Sequence, residues 1–367
     1  MLGAIVGFGA IAQGHLLGYE TSPELRVGAV VDSCEARRQV AEKDYGLSAY
    51  PDLESLLASH TVEFLDICTP PSSHQHYILE AIRRRIPAIC EKPVFIPDSL
   101  PYARIVKKIV DSGVIVYPCT NYKFAPVFGE VRSIVASGAL GEIRSARVRI
   151  MRRGHAVGVP EWRPDWRREQ SLSAGGILRD HGPHAIYLAM SLTGLVPLSV
   201  SCIAGRLAED GGQPWNAVEP VEDTAIARIA CERGAEIEIS ASWASSYRDS
   251  YYVISGSRNS LTVHNDEVVF TNAGVLKVVA IRSDFDEPSH GAWFATMFAD
   301  FAALLEDPAA PARLRDLLDE AALTSTVIDA AYASADSRGE WVSLAAHPAR
   351  PETSGRDDVH QHDVPAG

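Results

Sequence analysis

The 367 residues carry 34 basic and 47 acidic side chains, a formal charge of -13 with histidine neutral. That balance argues against nucleic acid or an anionic membrane surface as the main partner, and leaves a small anionic ligand to local charge. The length suits two domains rather than one core, and no apolar run approaches the ~20 residues of a membrane-spanning helix.

Met1 is followed by Leu-Gly-Ala-Ile-Val-Gly-Phe-Gly, with no basic segment and no cleavage pattern, so no signal peptide is expected. Up to about residue 123, short apolar runs ending at Val6, Val31, Cys68, Cys90 and Cys119 alternate with amphipathic stretches such as Pro71–Arg85 and Ser99–Ser112. Apolar strands separated by helices indicate an α/β domain with a doubly wound parallel sheet. The first run leads into Gly7-Phe8-Gly9-Ala10-Ile11-Ala12, a Gly-x-Gly-x-x-Ala turn ahead of a helical segment. Gly7 permits the tight turn, Gly9 lets a pyrophosphate approach the backbone, and Ala12 lets helix and strand pack closely. Backbone N–H groups at the start of that helix then face the diphosphate. The next strand ends in Asp32, whose carboxylate suits ribose hydroxyls and favours NAD over NADP. Arg37 and Arg38 follow, either offsetting repulsion of a 2′-phosphate, which keeps NADP open, or standing as solvated helix charges.

Beyond residue 123 the pattern changes. A helix is expected near Val127–Ser137, a strand over Ile143–Ile150, a Trp- and Arg-rich loop to Ala174, and a helix from about Gly175 to Thr193. Strands follow at Val200–Gly205, Thr224–Cys231, Glu236–Ala241, Tyr251–Ser255, Leu261–His264, Glu267–Phe270 and Val275–Ala280, separated by turn residues. Helices near Trp293–Glu306 and Arg313–Ala333 close an α+β domain with a large open, mostly antiparallel sheet. The expected division is residues 1–123, residues 124–346, and a disordered tail over 347–367, rich in Pro, Asp, His and Gly. Six scattered cysteines with no Cys-x-x-Cys spacing read as small buried side chains and point to the reducing cytoplasm.

Glu91-Lys92-Pro93 follows the fourth of the apolar runs, at the carboxyl edge where doubly wound folds bind ligands. A lysine desolvated there has a lowered pKa and can exchange a proton. Asp180 and His184 are four apart, on one helix face, where a carboxylate raises imidazole basicity. Asp180, His181 and His184 also have metal-ligand types, but His181 is offset by about 100° and no further cluster accompanies them, so no metal is expected. Trp162, Arg163, Trp166 and Arg167 suit sugar rings and hydroxyls, or else pack domains. Ser289-His290 with Trp293 either closes the pocket or starts a helix.

The turn, Thr69-Pro70-Pro71-Ser72-Ser73-His74, Cys90-Glu91-Lys92-Pro93 and Gly175-Gly176-Ile177-Leu178-Arg179-Asp180-His181-Gly182-Pro183-His184 come in an order that resembles the Gfo/Idh/MocA family, which includes glucose–fructose oxidoreductase and inositol dehydrogenases. Asn121 to Pro126, Leu140 to Ile143 and Val221 to Thr224 extend the resemblance over roughly residues 2–345. It implies a Rossmann domain, a domain on an open sheet, and a substrate pocket between them. It also implies that Thr69, Pro70, His74, Glu91 and Asn121 join the turn in binding the cofactor, and that Lys92 touches the nicotinamide ribose and the substrate hydroxyl. By the same resemblance His184 transfers the proton, Asp180 orients substrate or polarises the imidazole, Lys92 is the electrostatic and hydrogen-bonding partner, Pro93 sits in a cis bond, and the chain forms a homodimer or homotetramer through its C-terminal sheet. The family often has Arg at Lys123 and Asp at Tyr187, both near the expected pocket, where Lys123, Trp162, Trp166 and Arg167 would meet substrate. The expected activity is a dehydrogenase or ketoreductase for a sugar, amino sugar, nucleotide sugar or cyclitol. An NAD-retaining glycosidase or epimerase and a silent dinucleotide-binding regulator are the alternatives. Net release of NADH separates the first from the second, and the Lys92, Asp180 and His184 set weighs against the third.

Overall fold

The structure is a computed structural model that describes residues 1–98, 100–207, 221–272, 274–283 and 290–344. The tail expected to be disordered, Ser289 and the start of the helix expected at Ser99 lie outside the described residues. The first domain runs β1 (Leu2–Val6), α1 (Ala10–Glu20), β2 (Arg26–Val31), α2 (Glu35–Tyr45), β3 (Ser48–Tyr50), α3 (Leu53–Ser59), β4 (Phe64–Ile67), α4 (His74–Arg84), β5 (Ala88–Cys90), α5 (Tyr102–Ser112) and β6 (Val116–Pro118). Its six strands are parallel, in the order β3-β2-β1-β4-β5-β6. The strand order reverses between β1 and β4, which opens a crevice above their carboxyl ends. Two strands escaped the sequence reading, β3 and the two-residue strand Val342–Ser343 of the second domain. Glu91–Pro93 follows β5, the fifth strand and not the fourth, because β3 is a three-residue edge strand with no fully buried position.

The second domain runs α6 (Pro126–Ala136), β7 (Ile143–Met151), α7 (Gln170–Ser173), α8 (Ile177–Thr193), β8 (Pro197–Gly205), β9 (Thr224–Cys231), β10 (Glu236–Ser242), β11 (Asp249–Gly256), β12 (Ser260–His264), β13 (Glu267–Asn272), β14 (Val275–Ala280), α9 (Gly291–Glu306), α10 (Ala310–Asp336) and β15 (Val342–Ser343). Nine strands pair in the order β14-β13-β12-β11-β7-β10-β9-β8-β15, antiparallel except for β7 beside β10. Strand periodicity sends alternate side chains to opposite faces. Ala146, Val148 and Ile150 of β7 and Ile237, Ile239 and Ala241 of β10 are therefore buried together with α6 and α8. The chain then returns to the first domain. Phe294, Phe298 and Phe301 of α9 are fully buried in a cluster with Phe8, Tyr19 and Phe64, each side chain contributing about 1.5–3 kcal/mol of burial. The return locks the two domains together around the crevice.

Candidate active site

The glycine turn is built as its spacing predicts. Gly7 has φ +90°, and a Cβ there would lie 2.9 Å from the Thr69 backbone, while a Cβ on Gly9 would meet nothing within 4 Å. That open flank is where a diphosphate can reach the backbone. The Asp32 carboxylate accepts hydrogen bonds from the N–H groups of Phe8 and Cys34, both at 2.8 Å, which ties the end of β2 to the turn. Arg37 is not a solvated charge: it is 3% exposed. Its Nε donates to the Phe8 carbonyl at 2.8 Å and its Nη1 to Glu161 at 3.0 Å, while Nη2 is buried without a hydrogen bond. Arg38 donates to the carbonyls of Asp32 and Ser33.

A cleft of about 280 Å³ runs over this turn, lined by Gly7 to Ile11, Asp32, Arg37, Thr69 and Pro70. Trp162, Trp166 and Arg167, which the sequence assigns to substrate, belong to the same wall, because the loop after β7 crosses from the second domain and is held by the Glu161–Arg37 pair. The open Gly9 flank, Asp32 and the backbone amides fit a dinucleotide. His74 and Asn121 are buried and are not in the cleft wall. The His74 ring nitrogens face the carbonyl oxygens of Pro93 and Thr69 at 2.9 and 2.8 Å, so the ring braces two loops and does not face the cleft.

The cleft continues into a smaller space of about 70 Å³ lined by Ile11, Thr69, Glu91, Lys92, Pro93, Trp166, Arg167 and Asp180. The Lys92–Pro93 bond is cis. Beneath Lys92 lies a buried network: Glu91 accepts from Cys119 Sγ at 2.8 Å and pairs with His15 Nε2 at 3.1 Å, while His15 Nδ1 meets Asp66 at 2.7 Å. Burial is the largest influence on the His15 pKa and would lower it, but Asp66 and Cys68 together outweigh it and the pKa is raised well above the usual value. Metal-ligating side chains do gather here, as His15, Glu91 and Cys119 and as His15, Asp66 and Cys68. Their atoms are spent on one another.

The Lys92 ammonium donates to the Asp180 carboxylate and to its backbone carbonyl, both at 2.8 Å. Arg167 Nε and His181 Nδ1 lie 3.6 and 3.2 Å from the other carboxylate oxygen. Burial would raise the Asp180 pKa, yet Lys92, His181 and Arg167 hold it well below the carboxylate range. The start of α8 is fixed by Glu222, which accepts from the N–H groups of Gly176 and Leu178 at 2.9 and 3.0 Å. A Cβ on Gly176 would sit 1.8 Å from the Glu222 carbonyl oxygen, so the glycine is required.

Two expectations are corrected. Asp180 does not hold His184: His184 Nδ1 shares a hydrogen bond with Tyr187 Oη at 2.7 Å, and Asp180 is claimed by the cations above it. Lys123 is drawn out of the pocket wall into an ion pair with Glu320, its ammonium over the Tyr187 ring. His184 packs on Tyr122, ring centroids 4.1 Å apart. Burial pushes its pKa well below the usual value, with Lys92 and His181 adding to the effect, so the imidazole is neutral near pH 7.

Three side chains near His184 escaped the sequence reading. Arg152 and Trp243 continue the inward rows of β7 and β10 one step past the strand ends, and Tyr252 faces inward from β11. Their signal was the period-2 alternation itself, carried beyond the last apolar residue.

The NAD-binding Rossmann model of the Gfo/Idh/MocA oxidoreductases matches residues 2–117, and the family's C-terminal domain model matches residues 128–262. A D-glucoside 3-dehydrogenase of Escherichia coli K12 is 27% identical over 78% of this chain and 84% of its own. An inositol 2-dehydrogenase of Rhizobium meliloti is 26% identical over 62% of this chain and 66% of its own. Among solved structures, an inositol dehydrogenase homologue from Azotobacter vinelandii complexed with NAD+ has the same fold, with a TM-score of 0.77, 19% identity, and 94% of this chain and 97% of that one covered. With both domains matched in order, the chain belongs to the Gfo/Idh/MocA family of NAD-binding oxidoreductases.

Proposed function

We propose that this protein is a dehydrogenase or ketoreductase that moves a hydride between nicotinamide and a CH–OH carbon of a sugar or cyclitol, with His184 exchanging the hydroxyl proton. The observation that carries the reading is a buried imidazole one helical turn beyond a Lys92–Asp180 ion pair at the end of the dinucleotide cleft. The bound nicotinamide supplies the hydride acceptor or donor. In oxidation His184 takes the hydroxyl proton, and the Lys92 ammonium stabilises the oxygen as charge develops on it. Asp180 keeps that ammonium in place, and Tyr187 fixes the imidazole through its other nitrogen. The names of the glucoside and inositol dehydrogenase relatives support the same substrate class.

A panel of sugars and cyclitols tested for NAD reduction, beside ketosugars tested for NADH oxidation, should yield stoichiometric turnover on at least one. Replacing His184 by Ala should lower turnover at least ~100-fold, the scale of a lost general base, while NAD binding persists. Near-normal turnover in that variant would remove His184 from the mechanism.

A further inference from the structure

We propose that the sugar taken by this pocket is an acidic one, a uronic acid or its glycoside, whose carboxylate is received by Arg152 at the end of β7. The inference rests on the sugar reading above and deepens it.

Arg152 is 7% exposed, and its guanidinium meets backbone carbonyls, the Ser250 hydroxyl and the Tyr122 hydroxyl, all neutral oxygens. Nη1 donates to the carbonyls of Met151 and Asp249 at 2.8 and 2.7 Å, and Nη2 to Ser250 Oγ at 2.9 Å. The carboxylate of Asp249 turns away, bound to Arg149 and His264 at 2.7 and 2.9 Å. No carboxylate among the described residues lies within ion-pair distance of the Arg152 guanidinium. Buried charges are ordinarily paired, because removing an ion from water is costly unless a counter-charge replaces the water. Burial here even depresses the pKa of the guanidinium. The missing counter-charge is the first sign of an anionic ligand.

The second sign is the balance of charge around it. Lys92 and Arg167 both turn to Asp180, and Glu91 is taken up by His15 and by Lys92 beside it, so neither carboxylate of the site is spent on Arg152. The third is an unsatisfied donor next door. Trp243 Nε1 is buried without a hydrogen-bond partner, and Trp243 stands beside Arg152 because Ser242 pairs with Met151 in the β10–β7 register. A ring hydroxyl or ring oxygen would accept from it.

The position ties Arg152 to the proton-transfer end of the site, where its charge acts on Tyr122 and His181. Arg152 is not in the wall of the dinucleotide cleft, whereas it lies beside Tyr122, on which His184 packs. A planar guanidinium matches a carboxylate in fork geometry. The glycine turn that would cradle the further oxygens of a phosphate sits in the other domain, at Gly7–Ala12.

The test compares kcat/KM for NAD reduction on matched pairs of methyl glycosides and methyl glycosiduronates in the gluco, galacto and manno series, with hexose 6-phosphates as a further arm. The expected result is a uronide preferred over its neutral partner by ~10–100-fold, the span of a charge-assisted hydrogen bond. In Arg152→Gln the ratio should fall to about one, and Arg152→Lys should restore part of it. Wild-type protein with NAD should also gain more thermal stability from the free uronic acid of the preferred series than from its parent hexose, a readout that needs no variant. A neutral glycoside preferred or used equally, a phosphorylated sugar preferred, or a preference that survives Arg152→Gln overturns the acidic-sugar inference alone. Turnover on none of these sugars, with NAD bound, overturns the sugar reading and this inference with it.

Discussion

At the scale of single residues, the charge state of His184 governs what can be measured. Its neutral form must be present to accept the hydroxyl proton, and burial with Lys92 nearby depresses its pKa below the ordinary 6.5. The kcat/KM of oxidation should therefore stay level as pH falls through 6.5 and drop only at lower pH, in a profile recorded from about pH 5 to 9. An acid limb at or above 6.5 would contradict the assignment. The same shift is a stability term: the folded state binds fewer protons here than the unfolded chain, so stability is lost on acidification below 6.5. The spacing of Asp180 and His184 was legible because helix geometry decides which residues share a face. What Asp180 binds was not legible, since its partner Lys92 arrives on a loop 88 positions earlier in the chain. His15 was silent for a similar reason: α1 was visible, but the carboxylates of Asp66 and Glu91 meet its imidazole only once β4 and β5 lie side by side.

At the scale of elements, α8 carries both Asp180 and His184, so whatever fixes its first turn fixes the site. Glu222 does this from just ahead of β9, accepting from two amides of the helix start and from Tyr332 Oη at 2.9 Å. Burial raises its pKa, and the hydrogen bonds from Leu178, Tyr332 and Gly176 only partly oppose that rise. Removing the acceptor with Glu222→Ala should cost about 0.5–2 kcal/mol, the range for a lost helix cap, and lower kcat as α8 frays. Glu222→Gln keeps one carbonyl oxygen and should cost less. Thermal unfolding of the two variants checks the order, and an Ala variant as stable as wild type would show that α8 does not depend on this cap. Most element boundaries could be read from alternation, as at Thr224–Cys231 and Val275–Ala280, where strand and expectation coincide. The exceptions among the strands were β3 and β15, whose three and two residues have too little buried surface to leave a pattern.

At the scale of the whole molecule, α9 and α10 could be read as helices from their own periodicity, whereas their return to the first domain could not. Phe294 and Phe298 pack where Gly18 of α1 leaves room, and no local signal joins residues that far apart. The large sheet poses a second long-range question, because α6 and α8 cover only one of its faces. On the other face Ile203 and Ile226, 70% and 51% exposed, stand directly opposite each other on β8 and β9. Leu198 and Trp341 are half exposed nearby, with Arg228 over the Trp341 ring, and Val275, Leu276 and Val278 of β14 form a further exposed apolar group at the opposite edge. Between them run ion pairs such as Arg149–Asp249 and Arg228–Glu236. Exposed apolar pairs flanked by charge rows suit a self-complementary interface, in which each row can meet its opposite across a two-fold axis. The expected state is therefore a homodimer or homotetramer joined through this face. Light scattering coupled to size exclusion should give a multiple of the 39.7 kDa chain, and Ile203→Glu combined with Ile226→Glu should shift it to the monomer. A monomeric wild type would refute the interface. A double variant that keeps the wild-type mass would place the contact on another surface.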